Sequence, residues 1–517
     1  MDERFEPPGE EHMREREKFA ELSEADQAEE ISRMHDTAWF ENVTTFYEDE
    51  RIIEDPEAKE RLRLAGQIAQ RVKSEGGLAL VVGGYVRDKV LREKFGHAAV
   101  PKDIDVEVYG IAFERLKALL DQIGRVDTVG AQFSVMKIGG VDVSIPRKDS
   151  KIGERHKDFV VDGDPFMSMQ EAARRRDFTI NALGLDPLTG EVVDHWGGIR
   201  DLQSGTLRVI DAELFKDDAL RVLRAAQFSG RFGFSVHEET AALCRSMDLA
   251  HLPRERLFEE YVKLFLKSPR PSIGLEAARD LGIVEKLHPE LAALFDVPQD
   301  SQWHPEGDVW MHTKMVVDAA AERAQGRNLS KESALTLMLA AVCHDMGKPA
   351  TTATNDKGRI TSHGHSEAGI EPADRFLDGI GVPQAHRTKI QKLVQEHLFP
   401  SVNKDAGPSA IKKLAHRLHP ATIQELVDVG WADHKGRGTS WDGYPEGDML
   451  LKKAEELAIA ESKPAPLLQG RDLIALGMTP SKQFGVVLRQ VYELQLEDVI
   501  HTPEEARRWV LEKIAEK

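Results

Sequence analysis

Three things are scarce in this 517-residue sequence, and each scarcity excludes something. Cysteine occurs twice, at Cys244 and Cys343, far apart and outside any motif, so a disulfide framework is not expected. Long apolar runs are missing. The longest, Ala334 to Cys343, is about half of the roughly 20 residues that span a bilayer, so no membrane partner is expected. The N-terminus starts acidic, without the charged-then-apolar pattern of a signal peptide, and a cytoplasmic setting is expected. Basic charge is also short: 69 Lys and Arg against 88 Asp and Glu leave a formal net charge of -19. That excludes a uniformly basic surface but not a local one, and Arg174-Arg175-Arg176, Arg221, Arg224 and Arg231 supply local clusters. Neither an internal repeat nor a low-complexity tract occurs.

What is present is enough apolar side chain for real cores, 41%, with 30% charged residues for the surface. At about 100–200 residues per domain the length allows three or four. Residues 1–56 read as an acidic extension without chemistry of its own. Residues 57–165 alternate helix and strand in a small α/β unit, with strands expected at Leu78–Val82 and Ile104–Tyr109 and a pivot at Gly139-Gly140. Residues 166–300 carry apolar positions at three- and four-residue spacing and read as helical. Residues 301–440 are helical again but studded with His and Asp, and 441–517 form a C-terminal helical segment. The fold class expected is α+β: an α/β head followed by two all-α parts.

The head carries the first set of chemical residues. Leu80 to Asp88 (LVVGGYVRD) is a strand, a glycine pair and a helix start, a combination that lets backbone N–H groups approach an anion. On the next strand Asp103 and Asp105 are one residue apart and share a face. Like charges so placed repel unless a cation lies between them, and a hard ion such as Mg²⁺ takes carboxylate and phosphate oxygens together. Asp142 offers a third carboxylate. Taken singly, Asp105 and Asp142 also fit a solvated strand edge. Arg175 to Ala182 (RRDFTINA) adds cationic forks for phosphate and small polar groups for ribose, or else a solvated basic helix start. Asp218 and Arg221 are three apart on a helix, the spacing of an ordinary surface ion pair.

In order, these strings resemble the class II tRNA nucleotidyltransferase and bacterial poly(A) polymerase family, over about Leu78 to Pro289, including Asp194-His195-Trp196-Gly197-Gly198. Asp217 departs mildly from the Glu usual there. The resemblance implies metal-assisted nucleotidyl transfer, with Asp103, Asp105 and Asp142 catalytic and Mg²⁺ on Asp103 and Asp105. It implies nucleotide contacts at Gly83, Gly84, Arg87, Arg176, Asp177, Asn181, Asp218, Arg221 and Arg224. In that family the fourth string reads the base. An Asp accepts from an exocyclic amine and an Arg donates to a ring acceptor, which selects C and A over U and G. Arg147–Asp164 is a candidate for the loop that switches one site from C to A.

The second set follows. His344-Asp345 ends the apolar helix, with His312 before it and Asp433 after it; singly each is a polar residue satisfied by its neighbours. In order they resemble the HD-domain phosphohydrolases, which implies a divalent metal (Mg²⁺, Mn²⁺, Ni²⁺ or Co²⁺) on His312, His344, Asp345 and Asp433. His365 and His397 match the additional histidines of binuclear members, and His363 with His365 fits a polar loop equally well. A head followed by an HD domain resembles the bacterial multifunctional CCA enzymes. That implies addition of C, C and A to the 3′ end of tRNA from CTP and ATP, with phosphatase or cyclic phosphodiesterase activity beside it. A poly(A) polymerase, a partial CC- or A-adding enzyme and a protein-uridylylating signalling enzyme are the alternatives. The sequence leaves open the oligomeric state, the HD substrate, and whether the C-terminal segment, with its expected turn at Gln469–Leu473, touches tRNA.

Overall fold

The structure is a computed structural model and describes residues 43–45, 56–96, 104–129, 135–151, 159–438 and 443–515. It divides into two units, Met1–Arg221 with Phe234–Met247, and Val222–Gly233 with Asp248–Lys517.

The first unit contains the strands β1 (Val43–Thr45), β2 (Leu78–Val82), β3 (Ile104–Tyr109), β4 (Asp127–Val129), β5 (Val135–Ile138), β6 (Val141–Ser144), β7 (Arg147–Lys151), β8 (Phe159–Gly163), β9 (Gly184–Leu185) and β10 (Glu191–Val193). Eight of them form one sheet in the order β1-β10-β9-β2-β3-β6-β5-β4. Every pairing is antiparallel except β3 with β6. All five residues of β2 are buried, as its unbroken apolar run demands of a strand covered on both faces. The helix Pro56–Ser74 buries Ala65, Ile68, Ala69 and Val72, at helical spacing, and packs on β2 and β3. β3 instead alternates, with Ile104, Val106 and Val108 buried and Asp105 exposed, so Asp105 and Glu107 share the face opposite the buried one. Gly139 and Gly140 both have positive φ, 52° and 80°, the two-residue hairpin turn that joins β5 to β6. Among the described residues of the extension, Val43–Thr45 pairs with Glu191–Val193 and forms one edge of the sheet. β7 and β8 pair as a hairpin; Gly153-Glu154-Arg155-His156, at the centre of the candidate switching loop, lie outside the described residues.

The second unit is helical. Its centre is the helix Lys331–Cys343, buried without interruption from Thr336 to Cys343. A helix apolar all round must be enclosed, and Val309–Gly326, Ile423–Lys435 and Gln384–Glu396 pack around it. Each large apolar side chain so buried contributes roughly 1.5–3 kcal/mol. The helix starts are fixed by side chains: Asp308 accepts from Met311 N–H, Ser330 from Ser333 N–H, and Thr422 with Glu425 makes a capping box. Towards the C-terminus Leu468, Leu473, Val491, Ile500, Ala506 and Val510 form a core of their own. Gln469–Leu473 is not a free turn there. Gln469 caps the helix Gly470–Ala475, and Leu473 is fully buried. Among the described residues no helix is long and apolar enough to cross a membrane. Cys244 and Cys343 are both buried and unpaired with each other.

Candidate active sites

In the first unit β2 ends at Val82, and the chain turns through Gly83 at φ 72° into the helix Gly84–Phe95. A Cβ on Gly83 would come within 2.9 Å of the Arg176 guanidinium, so the absence of a side chain lets that cation lie against the turn. Arg176 Nη1 donates to the Asn181 carbonyl at 3.2 Å. The Asn181 side chain accepts from Arg87 Nη1 at 2.6 Å and donates to Asp177 Oδ1 at 2.7 Å, which fixes the orientation of its amide. Arg87 also donates from Nε to Asp88 Oδ1 at 2.7 Å. The first and third sequence strings, 94 residues apart at Arg87 and Asn181, thus form one buried network around the glycine turn. Buried charges persist only when paired in this way. Thr179, in the same string, donates to Asp201 Oδ2 at 2.7 Å, and Asp201 is itself fully buried.

Beside this network lies the acidic face. The strand register sets Asp105 opposite Val82 on one side and beside Asp142 on the other. Asp142 Oδ2 pairs with Lys137 Nζ at 2.9 Å, and this bond, with the charge of Asp142 and Asp105, raises the Lys137 ammonium above its ordinary value. Asp103 lies outside the described residues. Glu107, two residues after Asp105 on the same face, accepts from the Tyr109 hydroxyl at 2.6 Å and lies 3.5 Å from Arg176 Nη2. Burial, then the Glu107 charge, pushes the Tyr109 hydroxyl well above its usual range. The sequence reading passed over Glu107 and Lys137. Glu107 extends the alternation Asp103, Asp105, Glu107 and was within reach of that signal. Lys137 becomes visible only through the β5–β6 register.

Asp218 and Arg221 flank the start of the helix Leu220–Phe232. The Arg221 guanidinium donates to the Leu214 carbonyl at 2.6 Å and to the Arg175 carbonyl at 2.9 Å, while Asp218 Oδ1 accepts from Leu220 N–H at 3.1 Å. The fourth string is therefore tied to the third through the residue before Arg176. Arg224 falls in the second unit, where its guanidinium lies 5.1 Å from the Phe228 ring centre.

The second unit brings four imidazoles and two carboxylates together. His312 comes from the helix Val309–Gly326, His344 and Asp345 follow the helix Lys331–Cys343, and His365 opens the short helix His365–Ala368. His397 follows Gln384–Glu396, and Asp433 lies in the last turn of Ile423–Lys435. All six are buried, whereas His363 is exposed. His344, His365 and His397 each turn Nδ1 to a backbone carbonyl, of Ala341, Ser362 and Val394, at 2.8, 2.7 and 2.6 Å. His312 Nδ1 lies 2.8 Å from Glu306 Oε1. With Nδ1 committed as donor, a neutral ring presents a lone pair at Nε2.

Those Nε2 atoms converge. His344 and His312 approach to 3.3 Å, and His365 and His397 to 3.2 Å. Asp345 reaches both pairs, with Oδ2 3.2 Å from His344 and Oδ1 3.3 Å from His365. Asp433 Oδ1 lies 3.2 Å from His312 Nε2. Two sets, His312-His344-Asp345 and Asp345-His365-His397, are compact enough to hold a divalent ion, with Asp345 common to both. Facing lone pairs repel, and a cation between them removes the conflict. The residues present therefore fit a metal centre.

The electrostatics differ from ligand to ligand: burial lowers the His312 imidazole, but Asp433 and Glu306 outweigh it and raise it above its ordinary value. Burial alone would raise the Asp345 carboxyl, but His344, Lys348 and His365 hold it well below the usual range. Burial likewise opposes ionisation of Asp433, and Arg437 and His312 outweigh it. Burial, then His344 and His365, pushes His397 down to about 3, so it is a neutral ring with a lone pair to give. Glu306, Lys348 and Arg437 were absent from the sequence reading. Lys348 Nζ lies 2.6 Å from Asp345 Oδ2, and Arg437 donates to Asp433 Oδ2 at 3.0 Å. The offsets 345 to 348 and 433 to 437 were legible as helical neighbours; Glu306, on a loop, gave no such signal.

Comparison with known proteins covers the regions that carry both sites. Residues 79–208 match the family described as "Poly A polymerase head domain", 233–295 the "Probable RNA and SrmB- binding site of polymerase A", and 309–436 the "HD domain". The chain is 35% identical to the Multifunctional CCA protein of Xanthomonas campestris pv. campestris (strain B100) over 416 residues, 77% of this chain and 93% of that protein. Its fold is like that of the Bacillus stearothermophilus CCA-adding enzyme in complex with CTP, with a TM-score of 0.60 and 18% identity over 89% of this chain and 98% of that one. The Thermotoga maritima CCA-adding enzyme complexed with tRNA is similar at a TM-score of 0.54 and 18% identity, over 92% and 99% of the two chains. With a polymerase-type head and an HD domain on the same polypeptide, this chain belongs to the multifunctional CCA protein family.

Proposed function

We propose that the first unit adds C, C and A to the 3′ end of tRNA, using CTP and ATP, and that the second removes phosphate from ribose ends. The observation that carries the first part is the position of Asp105 and Asp142 side by side, directly across from the residue that precedes Gly83. The 3′ hydroxyl oxygen gives its proton to solvent water and attacks the α-phosphorus, the bond to the bridging oxygen breaks, and pyrophosphate leaves with the electron pair. Mg²⁺ on Asp103 and Asp105, when bound, neutralises the phosphates and lowers the cost of the attacking alkoxide. Gly83 and Gly84 admit the triphosphate, Arg176 meets its charge, and the Arg87-Asn181-Asp177 network holds that cation and the ribose side in place. Asp218 and Arg221 select the base, and the two carbonyls that hold Arg221 orient its remaining N–H groups before the nucleotide arrives.

The paired imidazoles and the shared Asp345 support a phosphohydrolase with one or two ions of Mg²⁺, Mn²⁺, Ni²⁺ or Co²⁺ on His312, His344, Asp345 and Asp433, and on His365 and His397. Held by these residues, such ions would supply hydroxide at neutral pH. Lys348 and Arg437 fix the two carboxylates and add positive charge for a phosphate. Clearing a blocked end restores the hydroxyl that the head extends. We assign this work to the cytoplasm, where immature tRNA meets CTP and ATP. The poly(A) polymerase, partial-enzyme and protein-uridylylating readings are set aside in favour of the match along 93% of a multifunctional CCA protein.

The test is incubation with tRNA lacking its last three nucleotides and with each nucleoside triphosphate alone and in mixture. C, C and A incorporate in that order and UTP and GTP do not. Failure to incorporate C or A overturns the proposal.

A further inference from the structure

The four imidazoles of the second unit differ in what stands behind them. His344, His365 and His397 turn Nδ1 to neutral backbone carbonyls, whereas His312 turns it to a carboxylate, with Glu306 Oε1 at 2.8 Å. They differ in access as well. Asp345, His365, His397 and Asp433 wall a cavity of about 360 Å³, and the exposed Trp303 among its walls shows that it reaches solvent. His312 and His344 are not among those walls.

Glu306 is costly to bury. Its side chain is 2% exposed, and among the described residues no lysine or arginine pairs with it. Oε1 takes the aligned bond of His304 Nδ1 at 2.9 Å and stands in ion-pair contact with His312. Oε2 is buried without a partner. A carboxylate enclosed in this way destabilises the fold unless something is gained from it. The shape of its loop is not the gain, because other bonds fix that shape. Asp308 Oδ1 accepts from Met311 N–H at 2.8 Å and Oδ2 from Asp296 N–H at 2.9 Å. Val309 N–H donates to the Val297 carbonyl at 3.0 Å, and Gln299 Nε2 to the Gly307 carbonyl at 3.2 Å. What Glu306 alone supplies is negative charge behind His304 and His312.

We propose that Glu306 is a positioning residue for His312 and makes the two metal positions unequal. An ion on His312, His344 and Asp345 binds tightly and stays, while one on Asp345, His365 and His397 binds weakly and exchanges through the cavity. A carboxylate behind a ligating imidazole fixes the ring and makes its far nitrogen a stronger donor, and such a partner changes metal affinity by about 10- to 100-fold. A carbonyl fixes the ring too, but it carries no full charge. Asp433 Oδ1, 3.2 Å from His312 Nε2, adds a further oxygen to the tight side. Glu306 itself touches neither the ion nor the substrate. The inference rests on the metal-centre reading of this unit.

The test is metal binding rather than turnover. The full-length protein, carrying Asp105→Asn to silence the head, is stripped with a chelator and titrated with Mn²⁺ in a calorimeter. It takes up two ions, the first at least about tenfold tighter than the second. Glu306→Gln weakens the first ion by about tenfold and Glu306→Ala by about a hundredfold, while the second stays within about twofold. The stripped variants melt within about 1 °C of the stripped parent. A Glu306 that only anchors its loop would lower that melting temperature and weaken both ions alike. That outcome, two equal ions in the parent, or an unchanged first ion in Glu306→Ala overturns the inference while the metal-centre reading stands. Glu306→Gln keeps the shape and the acceptor oxygen, so it decides the matter if Glu306→Ala does not fold. If the parent binds no ion that Asp345→Asn removes, the reading and the inference both fall.

Discussion

The two sites solve the problem of concentrated charge in opposite ways. In the head, Asp105 is exposed on an open sheet face and Asp142 is paired with a surface lysine, while the cations behind them are already satisfied by Asn181, Asp88 and backbone carbonyls. In the second unit the same kinds of group are buried with lone pairs turned towards one another. A site completed by its substrate can leave acids in water, where they cost little, and add metal with the triphosphate. A site that keeps its metal must be enclosed, and without a cation its ligands conflict.

The largest expected effect separates the activities. Asp105→Asn lowers C and A addition at least about a thousandfold and leaves phosphate hydrolysis intact; Asp345→Asn does the reverse. Both are measured on one preparation with trimmed tRNA and 2′,3′-cyclic AMP, and loss of both activities in either variant breaks the comparison. Metal removal comes next. Dialysis against a chelator lowers the melting temperature, and returning metal at a hundred times its Kd restores about 2.7 kcal/mol. The shift is absent from Asp345→Asn. Calorimetry showing the same shift in that variant would assign the metal elsewhere.

A smaller effect concerns selection. Asp218→Ala brings UTP and GTP incorporation up by about tenfold relative to CTP and ATP, the scale of one lost polar contact. Unchanged base preference in a competition assay removes Asp218 from base reading.

The smallest is a pH effect that sharpens what a buried histidine means here. His288 is enclosed, and its Nε2 lies 2.5 Å from the Tyr261 hydroxyl. Burial pushes it down to about 3 from an ordinary 6.5. As pH falls below about 6.5 the unfolded chain takes up a proton that the folded chain refuses. This contribution to stability is therefore complete above 6.5 and declines towards pH 3, at roughly 1.4 kcal/mol per pH unit. Denaturant melts from pH 7 to 4 should show that slope in the parent and a flatter one in His288→Phe; equal slopes would show that the imidazole is not the cause.

Legibility differed between the sites for the same reason. In the head the strings pointed to Gly83, Gly84, Arg87, Arg176, Asp177 and Asn181 as candidates, because turn, strand and helix chemistry is local, and these residues cluster around the turn. They did not announce that Arg87 and Asn181 bond directly, nor that Arg221 is held by the carbonyls of Leu214 and Arg175. An ion pair with Asp218 was the ordinary expectation from spacing, and backbone acceptors, which have no sequence signature, took the guanidinium. In the second unit the His-Asp pair at the end of an apolar helix marked a place where unpaired charge would be costly. Which distant residues come to meet it depends on how four helices pack. Trp303, Glu306 and Lys348 enter through a loop and a short helix whose residues look unremarkable in isolation.

The sequence by itself determined the alternation that leaves an acidic face on β3, the glycine turn at its side, the enclosed Lys331–Cys343 helix and the order of both motif sets, because period and local backbone preference act over a few residues. Only the tertiary structure decided that Asp345 is shared between two histidine pairs, that His365 turns inward while His363 stays in solvent, and that an exposed indole lines the metal cavity. Those outcomes depend on register and helix packing, which bring together residues separated by dozens of positions, and no local preference encodes such distances.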